Sequence, residues 1–345
     1  MSTTFTPQRT VLRNIILSMK SQETIAEVFA DAAFTYRARP ETTAFLQELK
    51  EHESDYAYAG KWGKSMATES RLIAQSSSFD LSTRLDDFLA GWLFAFLMGQ
   101  ETFTAAVSPS MLNTHLFTWD DTDGPSLTTN VYGEDTSGLK RKWSDIALNS
   151  VVLSGANKGS IMVKATGLGL GTVTDGAMAT LPALPTAQYL YGSDSTVAIG
   201  PAGSPVSLSP RVVSWEATFD AQKELFRAVG CGVKPYFIRK GNPVDKLKLV
   251  IAADTTTDIR GWANNQTPLE ITISVSSGPA GNSGPVTMLI TYPNVVLPKY
   301  DLGETDKCVA YTLDLDQQSI LQPSGGGESV TVSVQNTDAV YLTGV

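Results

Sequence analysis

The 345-residue chain has two cysteines, Cys231 and Cys308, and two histidines, His52 and His115. So few soft ligands, with no CxxC or HxxxH spacing, exclude a disulfide framework and a four-ligand zinc site. Free thiols in a reducing cell are expected. Charge is also scarce: Asp, Glu, Lys and Arg make up 18%, and acids outnumber bases 35 to 26, a net −9. Without a basic excess the surface cannot release counterions from phosphates, so tight nucleic-acid binding is disfavoured. The longest apolar run, Phe88–Met98, has 11 residues, against the roughly 20 that cross a bilayer. Met1–Pro7 lacks the charged start and apolar core of a secretory signal. A soluble chain made in the cytosol, without membrane insertion, is the expectation.

What the chain does have is hydroxyls: Ser and Thr together number 69. Low charge, abundant Ser and Thr and 42% apolar residues fit strands whose outward faces carry hydroxyls, so the fold class reads as mainly β. The length gives a prior of about two domains. Residues 9–36, with Ile15, Leu17 and Met19 alternating, lean to strand. Residues 40–74 read as a long polar loop with a helical fragment over 41–50. One helix is clear at 84–99, where Leu85, Phe88, Leu89, Trp92, Leu93, Phe96 and Leu97 fall at helical spacing behind Asp86-Asp87. Strands follow at 127–133, 145–153 and 160–167, the last two joined by the hairpin signal Asn157-Lys158-Gly159.

Residues 171–210 are rich in Gly and Pro and read as a connector, with one short strand at 187–191. Beyond it come a strand at 211–219, a polar loop at 220–244, a strand at 246–251, a short helix at 255–263, and strands at 268–276, 286–297 and 307–315. Strand, long loop, strand, helix and three strands thus occur twice, and Asn149–Leu153 matches Pro293–Leu297 in pattern. The pattern predicts an internal duplication: a first β domain over 1–170, a second over 211–320, and a C-terminal extension over 321–345.

Chemistry is nearly absent. Gly167-Leu168-Gly169-Leu170-Gly171 lacks the spacing and the Lys of a phosphate loop and reads as structural punctuation. Asp120–Gly124 places Trp119 and Asn130 where an EF-hand needs its first and last acidic ligands, and reads as a solvated turn. Cys231 is more at home as a small packed thiol than as a nucleophile, with no GxSxG elbow in the chain. The six tryptophans read mainly as core, with a sugar or base platform as the alternative. The basic run Lys140–Lys142 before Trp143 reads as a solvated strand edge or a subunit contact. No catalytic residue, cofactor or metal is expected.

One stretch carries a resemblance. Gly138–Asp145, running into Leu148–Ser160 and Val163–Gly169, is similar to the tail tube proteins of long-tailed bacteriophages: a charged aromatic strand, a strand ending in Leu-Ser-Gly, a small turn, and a strand ending in Gly. Lys20–Thr24 and Val295–Leu297 extend the likeness, which spans roughly residues 10–320. The resemblance implies β-sandwich or barrel domains each with one flanking helix, closing into rings whose inner strands form a continuous barrel. It implies a structural virion protein, assembled in the host cytoplasm, whose stacked rings form the conduit for DNA ejection through an acidic lumen. The implied partners are further copies of itself, a tape measure, a tail terminator and a distal tail protein. In that setting the loops 40–74 and 220–244 are the ring-stacking elements, with Tyr56, Tyr58, Lys61, Trp62 and Lys64 the inter-ring contact candidates. A duplicated chain would close the ring as a trimer with pseudo-sixfold symmetry in preference to a hexamer. The alternative is a β-sandwich carbohydrate-binding or adhesion module, with an enzyme third.

Overall fold

The computed structural model describes residues 12–39, 42–58, 65–108, 110–135, 139–185, 188–253, 258–277, 285–298, 300–305 and 308–342. In chain order the elements are β1 (Leu12–Ser18), β2 (Phe34–Arg37), β3 (Thr43–Tyr58), β4 (Ser65–Arg84), α1 (Asp87–Met98), β5 (Gly99–Thr104), β6 (Asn113–Trp119), β7 (Thr129–Asp135), β8 (Lys140–Ala156) and β9 (Met162–Asp175). There follow β10 (Ser195–Pro201), β11 (Val206–Ser207), β12 (Val212–Asp220), β13 (Glu224–Phe226), β14 (Phe237–Arg239), β15 (Val244–Ala252) and α2 (Ile259–Asn265). The last are β16 (Leu269–Ser276), β17 (Thr287–Val295), β18 (Asp301–Thr305), β19 (Cys308–Leu315) and β20 (Thr331–Asn336). The mainly β reading holds. Every strand pair is antiparallel, and none of the sheets closes into a barrel among the described residues.

Two sheets face each other across one core. The larger runs β18-β19-β15-β12-β8, where it forks: one branch continues through β9 and β4 to β3, the other through β7 and β1 to β2. The smaller is ordered β11-β10-β16-β17-β20-β6-β5. Period-2 alternation places Thr83, Val163, Leu153, Ala217, Leu247 and Leu315 in one cross-strand row of the larger sheet, all buried. Strands from both predicted halves share this core, because β8 pairs directly with β12 across the 171–210 segment.

Helix α1 is the centre of the core rather than a flank. Its sequence DFLAGWLFAFLM is apolar all round, and a helix without a polar face can be stable only when surrounded. Leu89 through Met98 are all buried, packed between β8 of one sheet and β5, β6 and β20 of the other. Trp92, Leu93, Phe94, Phe96 and Leu97 each contribute about 1.5–3 kcal/mol by leaving water. The indole N–H of Trp92 donates to the Ser18 carbonyl at 2.8 Å. Gly91 has no room for a Cβ, which would sit 2.1 Å from the Tyr341 ring. Helix α2 buries only Ile259.

Several sequence expectations need correction. Residues 43–58 and 65–84 are not a loop with a helical fragment but the two arms of a long hairpin. Only Thr43–Lys50 and the facing Gln75–Ser82 lie beside the sheet, so the distal part shows no core periodicity. The 171–210 connector contains the end of β9, all of β10 and β11; Tyr189 and Tyr191 make only isolated bridges. Residues 321–345 are no mere extension: β20 is central in the second sheet, between β17 and β6, with Val332 and Val334 buried. Strands β5 and β6 were missed, although His115, Phe117 and Trp119 alternate inward. The likeness of Asn149–Leu153 to Pro293–Leu297 has no structural counterpart, since β8 and β17 belong to different sheets.

Candidate assembly site

Three features of the larger sheet bear on association: the unpaired edges β3 and β18 at the two ends of one path, with β2 a third edge at the end of the other branch, one face left largely uncovered, and two arms at a common rim. Along one of its two eight-strand paths, the one through β9, the sheet is ordered β3-β4-β9-β8-β12-β15-β19-β18. Among the described residues β3 pairs only with β4, and β18 only with β19. The first four strands and the last four have the same chain order. Strand, arm and strand (β3 and β4, β12 and β15) lead into a helix. A hairpin in the second sheet follows (β5 and β6, β16 and β17), then the remaining strand pair (β8 and β9, β18 and β19). Both helices are capped alike, Asp86 accepting from the Leu89 N–H and Asp258 from the Gly261 N–H, each at 2.8 Å. The second sheet does not follow this order, because β20 pairs with both hairpins.

The face turned away from the core carries the alternate rows. Ser82, Lys164, Val152, Thr218 and Lys246 stand in one; Arg84, Met162, Ser154, Glu216, Lys248 and Asp314 in the next. These residues are exposed or half-buried. A concavity of about 400 Å³ opens on this face where β8 meets β12. The acids Asp80, Glu216, Asp220, Asp301 and Asp314 are interleaved with Arg84, Lys164, Lys246 and Lys248, so the face is close to neutral. Hydroxyls and opposite charges stand side by side on it.

The arms are the β3–β4 extension from residue 51 to 74 and the 221–243 segment between β12 and β15. They leave the sheet together: the Gln75 N–H donates to the Val233 carbonyl at 2.7 Å, and Arg227 donates to Val233 at 3.0 Å. Of the expected contact residues, Tyr56 and Tyr58 lie in the distal part of β3, opposite Ala67 and Ser65. Lys61, Trp62 and Lys64 lie outside the described residues. The second arm, expected as a loop, is mostly irregular with the small hairpin β13-β14. It displays Phe226, Tyr236 and a fully exposed Val229, with Phe226 stacked on Phe237 at 4.8 Å.

The root of the second arm holds a group that the sequence did not signal. Lys223 is buried, its ammonium donating to the Phe96 carbonyl at 3.2 Å in the last turn of α1, where the helix dipole favours a cation. Burial nonetheless pushes its pKa down from 10.5 to about 7, with Lys240 adding to the shift. Because the folded value lies below the unfolded one, the penalty is full below pH 7 and disappears as pH rises towards 10.5. Lys223→Met is therefore expected to raise the melting temperature by about 4 °C at pH 6 and by little near pH 10. Equal shifts at both values would exclude a buried charge. Two further groups went unread: Asp245, pushed up to about 7 by burial although Trp119 and Ser329 donate to it, and the buried pair His115–Glu101 at 2.7 Å.

The remaining motifs have structural roles. A Cβ at Gly167 would meet the Ala147 carbonyl at 2.8 Å, and one at Gly169 the Ser77 hydroxyl at 2.2 Å, so the Gly-Leu-Gly-Leu-Gly run lets β4, β9 and the bulged β8 approach closely. Arg141 and Lys142 pair with Asp175 and Asp31 at 2.9 and 2.7 Å, and Lys140 lies 3.7 Å from Glu134. The carboxylate of Asp120 is occupied by the Lys240 ammonium and the Thr122 N–H. Both cysteines are free. Trp92, Trp119, Trp143 and Trp215 are buried, so they form no exposed platform for a sugar. Among the described residues no cluster of three His, Cys, Asp or Glu could hold a metal, and no helix is long and apolar enough to cross a membrane.

A family model described as phage tail tube protein matches residues 22–335, nearly the whole chain. No curated protein matches it.

Proposed function

We propose, since the chain belongs to the phage tail tube protein family, that it polymerises as stacked rings of three copies, each contributing two tube-wall repeats. The family makes it a structural protein of the virion tail. The observation that carries the finer reading is the strand order of the larger sheet: β3-β4-β9-β8 is followed, edge to edge, by β12-β15-β19-β18. Two four-stranded repeats per chain, with an unpaired edge at each end, supply a third of a sixfold wall. Three copies give a barrel of about 24 strands, on the order of 40 Å across at the usual strand spacing.

In this reading the bare face lines the lumen, and its near-neutral, hydroxyl-rich surface gives phosphates no basic patch on which to release counterions. DNA then slides without sticking, by absence of attraction rather than by acidic repulsion. The two arms, leaving one rim together, reach the next ring; Tyr56, Tyr58, Lys61, Trp62 and Lys64 are the contacts of the first arm. Tape measure, terminator and distal tail proteins are the partners at the lumen and the two ends, and assembly takes place in the host cytoplasm. No catalytic step is assigned. Negative-stain microscopy of the purified protein, with symmetry analysis of end-on views, tests the reading. Threefold order with two similar wall units per chain is expected. Sixfold order with one chain per wall unit would end the duplication, and absence of rings would end the assembly reading.

A further inference from the structure

The chain contains its own template for the joint between copies. Where the first repeat meets the second, Gly155 lies opposite Trp215, Leu153 opposite Ala217 and Val151 opposite Phe219, all on the core side of the sheet. Matching Leu81 to Leu249 superposes the core rows of the repeats: Leu81 pairs with Ala44 and Ala165, as Leu249 pairs with Trp215 and Leu313. Ala44 thus corresponds to Trp215 and Leu46 to Ala217. By the same rows Leu302, opposite Tyr311, corresponds to Leu153, opposite Val163.

Resting on the reading of the chain as a two-repeat ring subunit, we infer that β18 of one copy pairs antiparallel with β3 of the next in this register, with Leu302 opposite Leu46 and Gly303 opposite Phe45. The surfaces fit. Leu302 is 57% exposed, on the core side of the sheet, at the edge of the hydrophobic layer. Leu46 packs against the core with its outer flank uncovered. On the opposite face Phe45, 49% exposed, meets a glycine and is not obstructed. Each of the two edges carries one acid on the core side beyond its leucine, Glu48 and Glu304; the other edges, β2, β11 and β5, are short or closed by charge. β11 has two residues, and β5 turns the charged Glu101 inward against His115. No proline interrupts β3 or β18.

Cysteine pairs test the register in a Cys231→Ser, Cys308→Ser background, on particles checked by microscopy. Directly opposite residues bring their Cα atoms within about 4.5–5.5 Å, inside the reach of a disulfide; a two-residue slip adds about 6.6 Å and removes it. Leu46→Cys with Leu302→Cys is expected to yield, on mild oxidation, covalent dimers and a terminal trimer on non-reducing gels. Glu48→Cys with Leu302→Cys and each single variant should remain monomeric. Rings that cross-link through the shifted pair, or through neither pair, would overturn the register while leaving the ring reading intact. A ladder continuing to six would overturn closure by three. Absence of rings from the unsubstituted chain and from the cysteine-free parent, with no cross-linking of the Leu46→Cys, Leu302→Cys variant, would overturn both.

Discussion

A chain lacking Tyr56–Lys64 is expected to yield soluble subunits or single rings and no tubes. The deletion is local by construction. Asp55 and Glu69 are cross-strand partners, so Ser65–Thr68 remain as a four-residue loop of ordinary hairpin length. The part of β3 that lies beside the sheet, Thr43–Lys50, is untouched, as are α1 and the core. Folding stability should stay near that of the parent, because the deletion leaves the pairing of β4 with β9 intact. Stacking, however, would lose all five expected contact residues of one of the two arms per chain, repeated around the whole ring. Microscopy with size-exclusion chromatography reads the outcome directly. Tubes of normal length from this variant would remove the first arm from the inter-ring contact.

The second large effect is expected at Asp86, in the middle of the core. Its carboxylate accepts from the Leu89 N–H at 2.8 Å, capping α1, and from the Tyr36 hydroxyl at 2.7 Å, while the Tyr36 ring stacks on Phe88 at 4.4 Å. Replacement by Ala removes a cap worth about 1 kcal/mol and leaves a buried hydroxyl unpaired, costing about 1–3 kcal/mol more. A loss of roughly 3 kcal/mol in urea denaturation is expected for Asp86→Ala. Asp86→Asn separates geometry from charge. Burial raises the Asp86 pKa from 3.8 to about 6, so the wild type loses this group's contribution as pH rises through that range. The Asn variant does not titrate there, so it should gain on the wild type between pH 4 and 7.5. An unchanged difference across that interval would place the carboxylate in a wetter site than its burial indicates.

How much of this was legible depended on whether a pattern had one wet side and one dry side. α1 could be located because an unbroken apolar run has few other uses, but its burial on all sides also required Ala90, Phe94 and Ala95 to be read as core. β12, β15 and β16 alternate strictly and fell close to their expected bounds. The distal part of β3 and β4 shows no apolar alternation in its sequence and pairs with no third strand, and it read as a loop. β20 was hidden behind Gly325–Gly327, although Val330, Val332 and Val334 alternate just after. Edges and the bare face depend on which strands pair. Lys223 and Asp245 sit in ordinary polar contexts, Asp-Ala-Gln-Lys and Pro-Val-Asp-Lys, so nothing in the local sequence marks either as buried.

The place of β20 has a kinetic side. It bridges β17 and β6, and Val332 is the partner of Phe117, so the sheet over α1 cannot be completed until the nineteen strands that precede it among the described residues have been synthesised. Contacts so distant in sequence close slowly, and translation at roughly 5–20 residues per second leaves the early hairpins waiting for many seconds. Until then α1 has one open side. A chain still on the ribosome thereby lacks the strand that joins the two hairpins of its second sheet, and the core closes over α1 only when that strand is made.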